Sequence, residues 1–440
     1  MYRIKTKKNK IKINNNKGIT LIALVVTIII LILLAVVSIS MLTGENGILT
    51  QVNNAKEQTK EAEIKEKIGL VKQVVETSEY TNKIIVEEYL EKEFKDSTVF
   101  QEVGEYIIKI DGKEYPTGIF GNIKVSSNIP KDSKQVKAFS KDKNVVVEDD
   151  YGNEIKVPAG YGLAADSGKD VTKGIVIEEA GDTEGGNQFV WIPVGNINIK
   201  VNDTTPVNIE LSRYEFGSLQ IKKPNETTYE NDGETIKESS VIEIAAKEEQ
   251  NQEEANNTVA ENLQDYMNKV KKSGGYYISR YEISKENEKA VSKKGNEPWT
   301  NITQSNSATE ARKIDKKQIG GNKYYTTDLV NSLAWDTAIV FIQTFGTNEK
   351  EKTYSMQGDK SGDNENKKIT GSSKDIALNI SDMASNVYEW STETTTGTNL
   401  PCVYRGGVYY SPDDVFAKER GGGRITSASD NVSFRAILYL

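Results

Sequence analysis

The sequence predicts an α+β protein in two stages: a long N-terminal helix able to span a membrane, with a small α+β head, and then a larger mixed α/β domain. Three observations predict it. Residues 19–42 form an uncharged apolar run of 24, with only Thr20, Thr27, Ser38 and Ser40 as polar members. Residues 48–78 place Val52, Ala55, Ala62, Ile64, Ile68, Val71 and Val75 at near-helical spacing among Glu and Lys, with no proline. From residue 145 onward, short apolar segments alternate with turn-forming residues, the pattern of strands in a compact domain.

Each element follows in order. At ~1.5 Å per residue the apolar run covers roughly 36 Å, more than the ~30 Å of a bilayer core. A secretory signal peptide has a shorter apolar core, ~7–15 residues, before a small-residue cleavage site. Here Thr43-Gly44-Glu45-Asn46-Gly47 follows instead, so an uncleaved anchor is the better reading. If the helix continues through residue 78, Gly44 and Gly47 mark a kink. Residues 84–94 read as a helix, and EYIIKIDGKEYPTG as a hairpin turning at Asp111-Gly112; together they make the small head, ending near residue 125. Residues 126–144 are polar and lysine-rich and read as a linker. The second domain, 145–440, opens with the hairpin VVVEDDYGNEIKVP and the buried strands GIVIEEA and FVWIPVG. A polar insertion, 196–258, interrupts it before the helix ENLQDYMNKVKK, the strand GGYYISRYEIS and the helix LAWDTAIVFIQTF. Residues 346–373 read as a polar loop, and the run 359–365 within it as solvated, since it lacks the spacing of a calcium-binding EF-hand loop.

Composition excludes several chemistries. Among 440 residues there is no histidine, so no imidazole can act as base or metal ligand. One cysteine, Cys402, rules out an intrachain disulfide, a CxxC pair and a multi-cysteine zinc site. Charge is asymmetric: residues 1–18 carry seven of the 56 basic groups and no acid, leaving the remainder at −15. A basic leader before an apolar run keeps that end in the cytoplasm and sends the acidic remainder outside, to the cell surface. An acidic body argues against nucleic acid as a partner.

The junction Lys17-Gly18-Ile19-Thr20-Leu21-Ile22 resembles the prepilin leader of type IV pilins and pseudopilins. That resemblance implies cleavage after Gly18, methylation of the new N-terminal Ile19, and other pilin subunits as partners. Ile19 stands where Phe is usual. Ala23 occupies the fifth mature position, where the family has a Glu that pairs with a neighbouring subunit's amine, which puts polymerisation in doubt while leaving anchoring intact.

Six segments name the second domain: FVWIPVG, GGYYISRYEIS, LAWDTAIVFIQ, SDMASNVYEW, YRGGVYY and the terminal NVSFRAILYL. In this order they resemble the formylglycine-generating-enzyme/sulfatase-modifying family, a variant of the C-type lectin fold. Ser385 replaces Gly and Tyr388 replaces Trp in its D-M-x-G-N-V-x-E-W strand; Val408-Tyr409 follow the R-G-G turn, and Ser433 stands for Gly in the terminal G-F-R. Read from the residues, Trp335, Tyr388, Trp390 and Phe434 are core groups, and Arg405 and Arg435 need buried acidic or carbonyl partners. The resemblance implies calcium on the SDMASNVYEW strand, held by Asp382, the carbonyls of Ser385 and Val387, and Glu389; the simpler reading pairs Glu389 with an arginine such as Arg405. The family's copper centre uses two cysteines after the R-G-G turn and its iron-dependent relatives use histidines. This chain has neither, so no copper, no iron and no catalysis are expected, and Cys402 reads as a small buried apolar residue.

What remains is recognition. In the lectin-fold branch diversified by retroelements, the C-terminal segment is the variable ligand-binding face, which here implies Tyr409, Tyr410, Ser411, Asp413, Asp414, Phe416, Ser427, Ser429, Asp430 and Asn431. Tyrosine supplies rigid contact area, and Ser and Asn supply adaptable polar contacts. The expected function is a pilin-like, membrane-anchored surface protein whose lectin-like domain binds a protein or glycan without transforming it. A minor pseudopilin of a secretion or DNA-uptake system, or a formylglycine-generating-type oxidase, are the alternatives.

Overall fold

The computed structural model describes residues 21–43, 47–78, 86–95, 97–102, 104–121, 123–130, 136–181, 185–216, 221–224, 259–314, 323–358, 366–394, 400–410 and 415–440. The fold is mixed α/β with one apolar N-terminal helix, and it divides into two compact units, residues 1–93 and 94–440. The short helix and the strands expected to share one head therefore fall in different units.

In the first unit the apolar run forms the helix Leu21–Thr43, whose window Ala23–Met41 has a mean hydropathy of 3.1 and no buried share. Its polar side chains bond within the helix: Thr27 Oγ1 donates to Ala23 O and Ser38 Oγ to Leu34 O, both at 2.7 Å. Such back-bonding suits a helix with no water around it. By length and composition this helix could cross a membrane or act as a signal sequence. A second helix, Ile48–Ser78, buries Ile68, Val71 and Val75 on one stripe, and Val86–Glu93 forms a third. Lys67 Nζ donates to the Glu93 carbonyl. Gly18 and Ile19, where the leader would be cut, lie outside the described residues.

The second unit begins with the antiparallel strands Thr98–Glu102, Glu105–Ile110 and Lys113–Phe120. Asp111 and Gly112 turn the hairpin at φ 50° and 82°, the paired positive values of a two-residue turn that matches strand twist. Next, Ile123–Lys124 runs parallel to Val145–Glu148, which pairs antiparallel with Glu154–Val157. The segment read as a linker lies between them, yet it buries Val136 and Phe139, and Phe139 N–H donates to Tyr161 O at 3.0 Å. A Cβ at Gly162 would run into the Lys137 carbonyl, so this crossing needs glycine. Two isolated apolar residues in a lysine-rich stretch gave no periodic signal of this packing.

A six-stranded antiparallel sheet holds the centre, in the order Thr326–Leu329, Ala436–Tyr439, Gly275–Ser279, Gln188–Pro193, Val176–Glu179, Tyr161–Leu163. The C-terminal strand is thus an interior one. Gly275–Ser279 is buried at every position, which explains why its sequence does not alternate. Helix Leu263–Ser273 sets Tyr266 edge-on to Tyr276 and Tyr439, and Tyr276 Oη donates to Ala334 O of helix Ser332–Phe345 at 2.5 Å. The start of the expected polar insertion also contributes core: Ile197, Ile209, Leu211 and Tyr214 are buried, while residues 225–258 lie outside the described residues. Helix Gln304–Arg312 and the helical turn Glu349–Lys352, closed by a capping box between Asn348 and Glu351, were not anticipated. A second sheet, in the order Arg420–Gly423, Cys402–Arg405, Tyr388–Thr394, Val432–Phe434, carries most of the motif residues.

Candidate ligand-binding face

The four-stranded sheet presents two chemically different sides, and its register sets them. Glu389 pairs with Arg405 and Arg405 with Arg420; Trp390 pairs with Tyr404 and Tyr404 with Gly421. Alternation then sends the charged groups to one side and the aromatic rings to the other.

On the charged side, buried Arg405 meets buried Asp336 at 2.6 Å and donates from Nε to Glu419 O at 2.9 Å. Arg420 reaches Asp336 at 2.5 Å and both oxygens of Glu393 at 3.1 Å, and Arg213 also pairs with Glu393. Burial alone would raise the Asp336 carboxyl, but Arg420 and Arg405 outweigh it and hold the group below the usual range. This network staples helix Ser332–Phe345 to the sheet.

Arg435 is the second buried arginine. It donates to both oxygens of Glu389, at 2.8 and 2.6 Å, and to the carbonyls of Ser279 and Ser381, each at 2.7 Å. Both motif arginines therefore have the buried partners their surroundings demand, and the partner of Glu389 is Arg435. Further carboxylates crowd the same region. Glu282 accepts from Asn386 Nδ2 at 2.6 Å and Val387 N–H at 3.2 Å. Asp375 accepts from Tyr354 Oη at 2.8 Å and Ala384 N–H at 2.7 Å. Burial pushes Glu389 up to about 7 against the pull of Arg435, burial and Asp382 push Asp375 to about 6, and burial lifts Glu282 well above the carboxylate range.

The calcium positions fall in this cluster. Both Glu389 oxygens bind Arg435, while Asp382 accepts from Gly371 N–H at 3.0 Å and from the Ser373 hydroxyl. In this arrangement both carboxylates are committed to protein donors, so the set does not fit a calcium ion. No group of three metal-binding side chains occurs among the described residues. Cys402 is buried in its strand, as a small apolar residue would be.

On the aromatic side, the sheet is covered at one end and open at the other. Trp390 and Phe434 are buried, with Trp390 Nε1 donating to Ile302 O at 2.9 Å. Toward the open end, Tyr404 lies edge-on to Trp390 at 5.7 Å and meets Tyr388 at 4.5 Å with ring planes inclined by 41°. Tyr388, read as core, is half-buried. Gly421 and Gly423 make room for these rings: a Cβ at 421 would enter Tyr404, and one at 423 would enter Trp390.

Of the residues named from the C-terminal segment, Tyr410, Ser429 and Asn431 come together. Asn431 Nδ2 donates to Tyr410 Oη at 2.5 Å, Ser429 Oγ donates to Asn431 Oδ1, and Tyr388 N–H donates to Asn431 O at 3.0 Å. Tyr409 stands at 90° to Tyr410, 5.2 Å away, and is tied by its N–H to Asn386 O. Tyr410 remains 48% exposed and Asp430 is exposed. Ser427 closes a turn by accepting from Arg424 N–H, and Phe416 is half-buried. Ser411, Asp413 and Asp414 lie outside the described residues. Sequence reading missed Tyr388 and Tyr404 as surface groups; the bare glycines opposite Tyr404 were the available signal.

No family model matches the chain, and no curated protein matches it. Solved structures with some likeness include Treponema denticola variable protein 1 (15% identity, TM-score 0.30, 59% of this chain and 98% of that one) and PvdO from Pseudomonas aeruginosa (15%, 0.28, 38% and 82%). The Major Tropism Determinant I1 variant is also similar (11%, 0.23, 78% and 81%). At these scores the likenesses carry no argument about what the chain does.

Proposed function

We propose that this chain is a pilin-like, membrane-anchored bacterial surface protein that displays a non-catalytic, lectin-like ligand-binding domain, with its C-terminal face diversified by a retroelement. The observation that carries the reading is the open end of the four-stranded sheet. There Tyr388, Tyr404 and Tyr410 with Asn431 and Ser429 form an aromatic and amide surface, backed by a buried ion-pair network that fixes the strands. Rigid tyrosines on a stapled sheet are suited to binding. The apolar helix and basic leader supply the tether, and prepilin-type processing after Gly18 belongs to the same reading.

The test has two arms. Intact cells treated with protease should lose the acidic domain while the apolar helix stays with the membrane, and sequencing of the mature protein should begin at Ile19. Recovery of the full chain from cytosol ends the reading. Surface material captured by the wild-type protein should be lost with Tyr410→Ala and Asn431→Ala; retention by both variants removes this face as the site. A reverse transcriptase with a template repeat beside the gene would support the retroelement.

A further inference from the structure

The tyrosine row runs across the four-stranded sheet and stops at bare backbone. Asn431 stands just before the strand Val432–Phe434, Tyr388 opens the next strand, Tyr404 lies on the third, and Gly421, its register partner, on the last. That last strand, Arg420–Gly423, is an edge. It pairs with Cys402–Arg405 on one side, and among the described residues no strand pairs with the other. By antiparallel alternation, half of its N–H and C=O groups point away from the sheet. Edge strands are usually blunted by a lysine, a proline or a bulge. This one has none of these: its register is unbroken, Gly421, Gly422 and Gly423 carry no side chain, and Arg420 turns to Asp336 and Glu393. Arg420 is exposed, and Gly421 and Gly422 are half-buried. A Cβ at Gly421 would come within 2.0 Å of Tyr404 Cε2, so the Tyr404 ring extends from the third strand over the edge strand.

Resting on the reading of this face as a ligand site, we propose that a protein partner adds an extended segment to the outer side of Arg420–Gly423, bonding its main chain to the outward N–H and C=O groups and packing an apolar side chain against the Tyr404 ring. Donors and acceptors repeating at every second residue are the pattern that another strand's main chain completes. The added residue opposite Gly421 puts its side chain on the aromatic side, beside the ring that already covers that glycine; such cross-strand contacts are what stabilise a sheet. A second copy of this chain is the poorer occupant. Two glycine strands set edge to edge would cover little apolar area, far below the ~1,000 Å² of a stable interface.

Arg-Gly occurs in this chain only at 405–406 and 420–421, so labelling arginine with carbonyl ¹³C and glycine with ¹⁵N isolates the amides of Gly406 and Gly421. Full-length protein so labelled, in detergent micelles, is titrated with acetyl-Thr-Phe-Thr-Phe-Thr-amide, with its fully N-methylated counterpart, with the all-threonine peptide and with methyl glucoside. The first peptide should shift Gly421 saturably and leave the buried Gly406 in place, and the N-methylated one should shift neither. The all-threonine peptide should bind about two- to tenfold more weakly, for want of a ring against Tyr404. An equal response to the N-methylated peptide, or no saturable shift at Gly421, overturns the proposal. A shift that grows with protein concentration alone overturns it in favour of a second copy. Shifts with methyl glucoside alone overturn the peptide class while leaving the face a binding site; retained capture by Tyr410→Ala and Asn431→Ala removes the face itself, and the proposal with it.

Discussion

Arg405 and Arg435 occupy comparable positions, each fully buried and each holding a carboxylate at 2.6 Å, yet their surroundings differ in sign. Around Arg405, two further arginines, Arg420 and Arg213, share Asp336 and Glu393. Around Arg435, Glu389, Glu282, Asp382 and Asp375 are influenced by that single arginine or by one another. The first network sets three arginines against two acids, and its Asp336 stays ionised; the second is acid-rich, and Glu389, Asp375 and Glu282 resist ionisation. Two motif arginines that look equivalent in sequence therefore fix the domain in different ways.

The largest effect should come from breaking that difference open. Arg435→Met leaves Glu389 buried without its cation among other acids, and should cost about 3–5 kcal/mol by chemical denaturation. Arg405→Met leaves Asp336 still paired with Arg420 at 2.5 Å and should cost less. If Arg405→Met proves the more damaging, the contrast between the networks is wrong.

Acidity sharpens the same contrast. Asp375 and Glu389 are raised in the folded state, to about 6 and about 7, so folding favours their protonated forms. Their contribution is fully present below the ordinary carboxylate range and is lost as pH rises through 6 and 7, on the order of 3 kcal/mol for Asp375. Asp336 is lowered, so its contribution is present at neutral pH and lost only as pH falls below its unfolded value, near 4. Thermal unfolding should therefore shift to lower temperature between pH 5 and pH 8, and Asp375→Asn should flatten that slope. An unchanged slope in the variant would refute the assignment.

The aromatic side of the sheet offers a smaller effect. Gly421→Ala puts a methyl into the Tyr404 ring, displacing a side chain that has open space beyond it, and should cost about 1–3 kcal/mol. It should also disturb the Tyr388–Tyr404 pair, read as a changed near-ultraviolet circular dichroism signal. Gly422→Ala meets only Leu400 at 3.0 Å and serves as the control.

The legible parts of this molecule were those with a period or a strong local signal. The 23-residue helix, the Asp111-Gly112 turn and the helical face of Tyr266, Met267 and Val270 all announce themselves locally. The buried partners of Arg405 and Arg435 were required by desolvation before any were seen, although which acid served which arginine depends on register and is not written in spacing. Segment 126–144 and helix Gln304–Arg312 escaped because sparse apolar residues there are recruited by distant strands. Tyr388 misled because every other residue of its motif, from Ser381 to Trp390, is buried while it sits at the sheet's open end.

The smallest expected effect on stability is also the one that separates scaffold from site. Tyr410 is 48% exposed, and its hydroxyl accepts from Asn431 Nδ2 at the surface, where water can replace either partner. Tyr410→Ala should therefore move unfolding by about 0.5 kcal/mol or less, in contrast to Tyr404, whose ring lies over Gly421 and beside Trp390. A Tyr410→Ala protein that unfolds like the wild type yet captures nothing places this residue in recognition. A variant that loses more than about 1 kcal/mol makes the Tyr410–Asn431 bond part of the fold, and the open end of the sheet would then be scaffold to its edge.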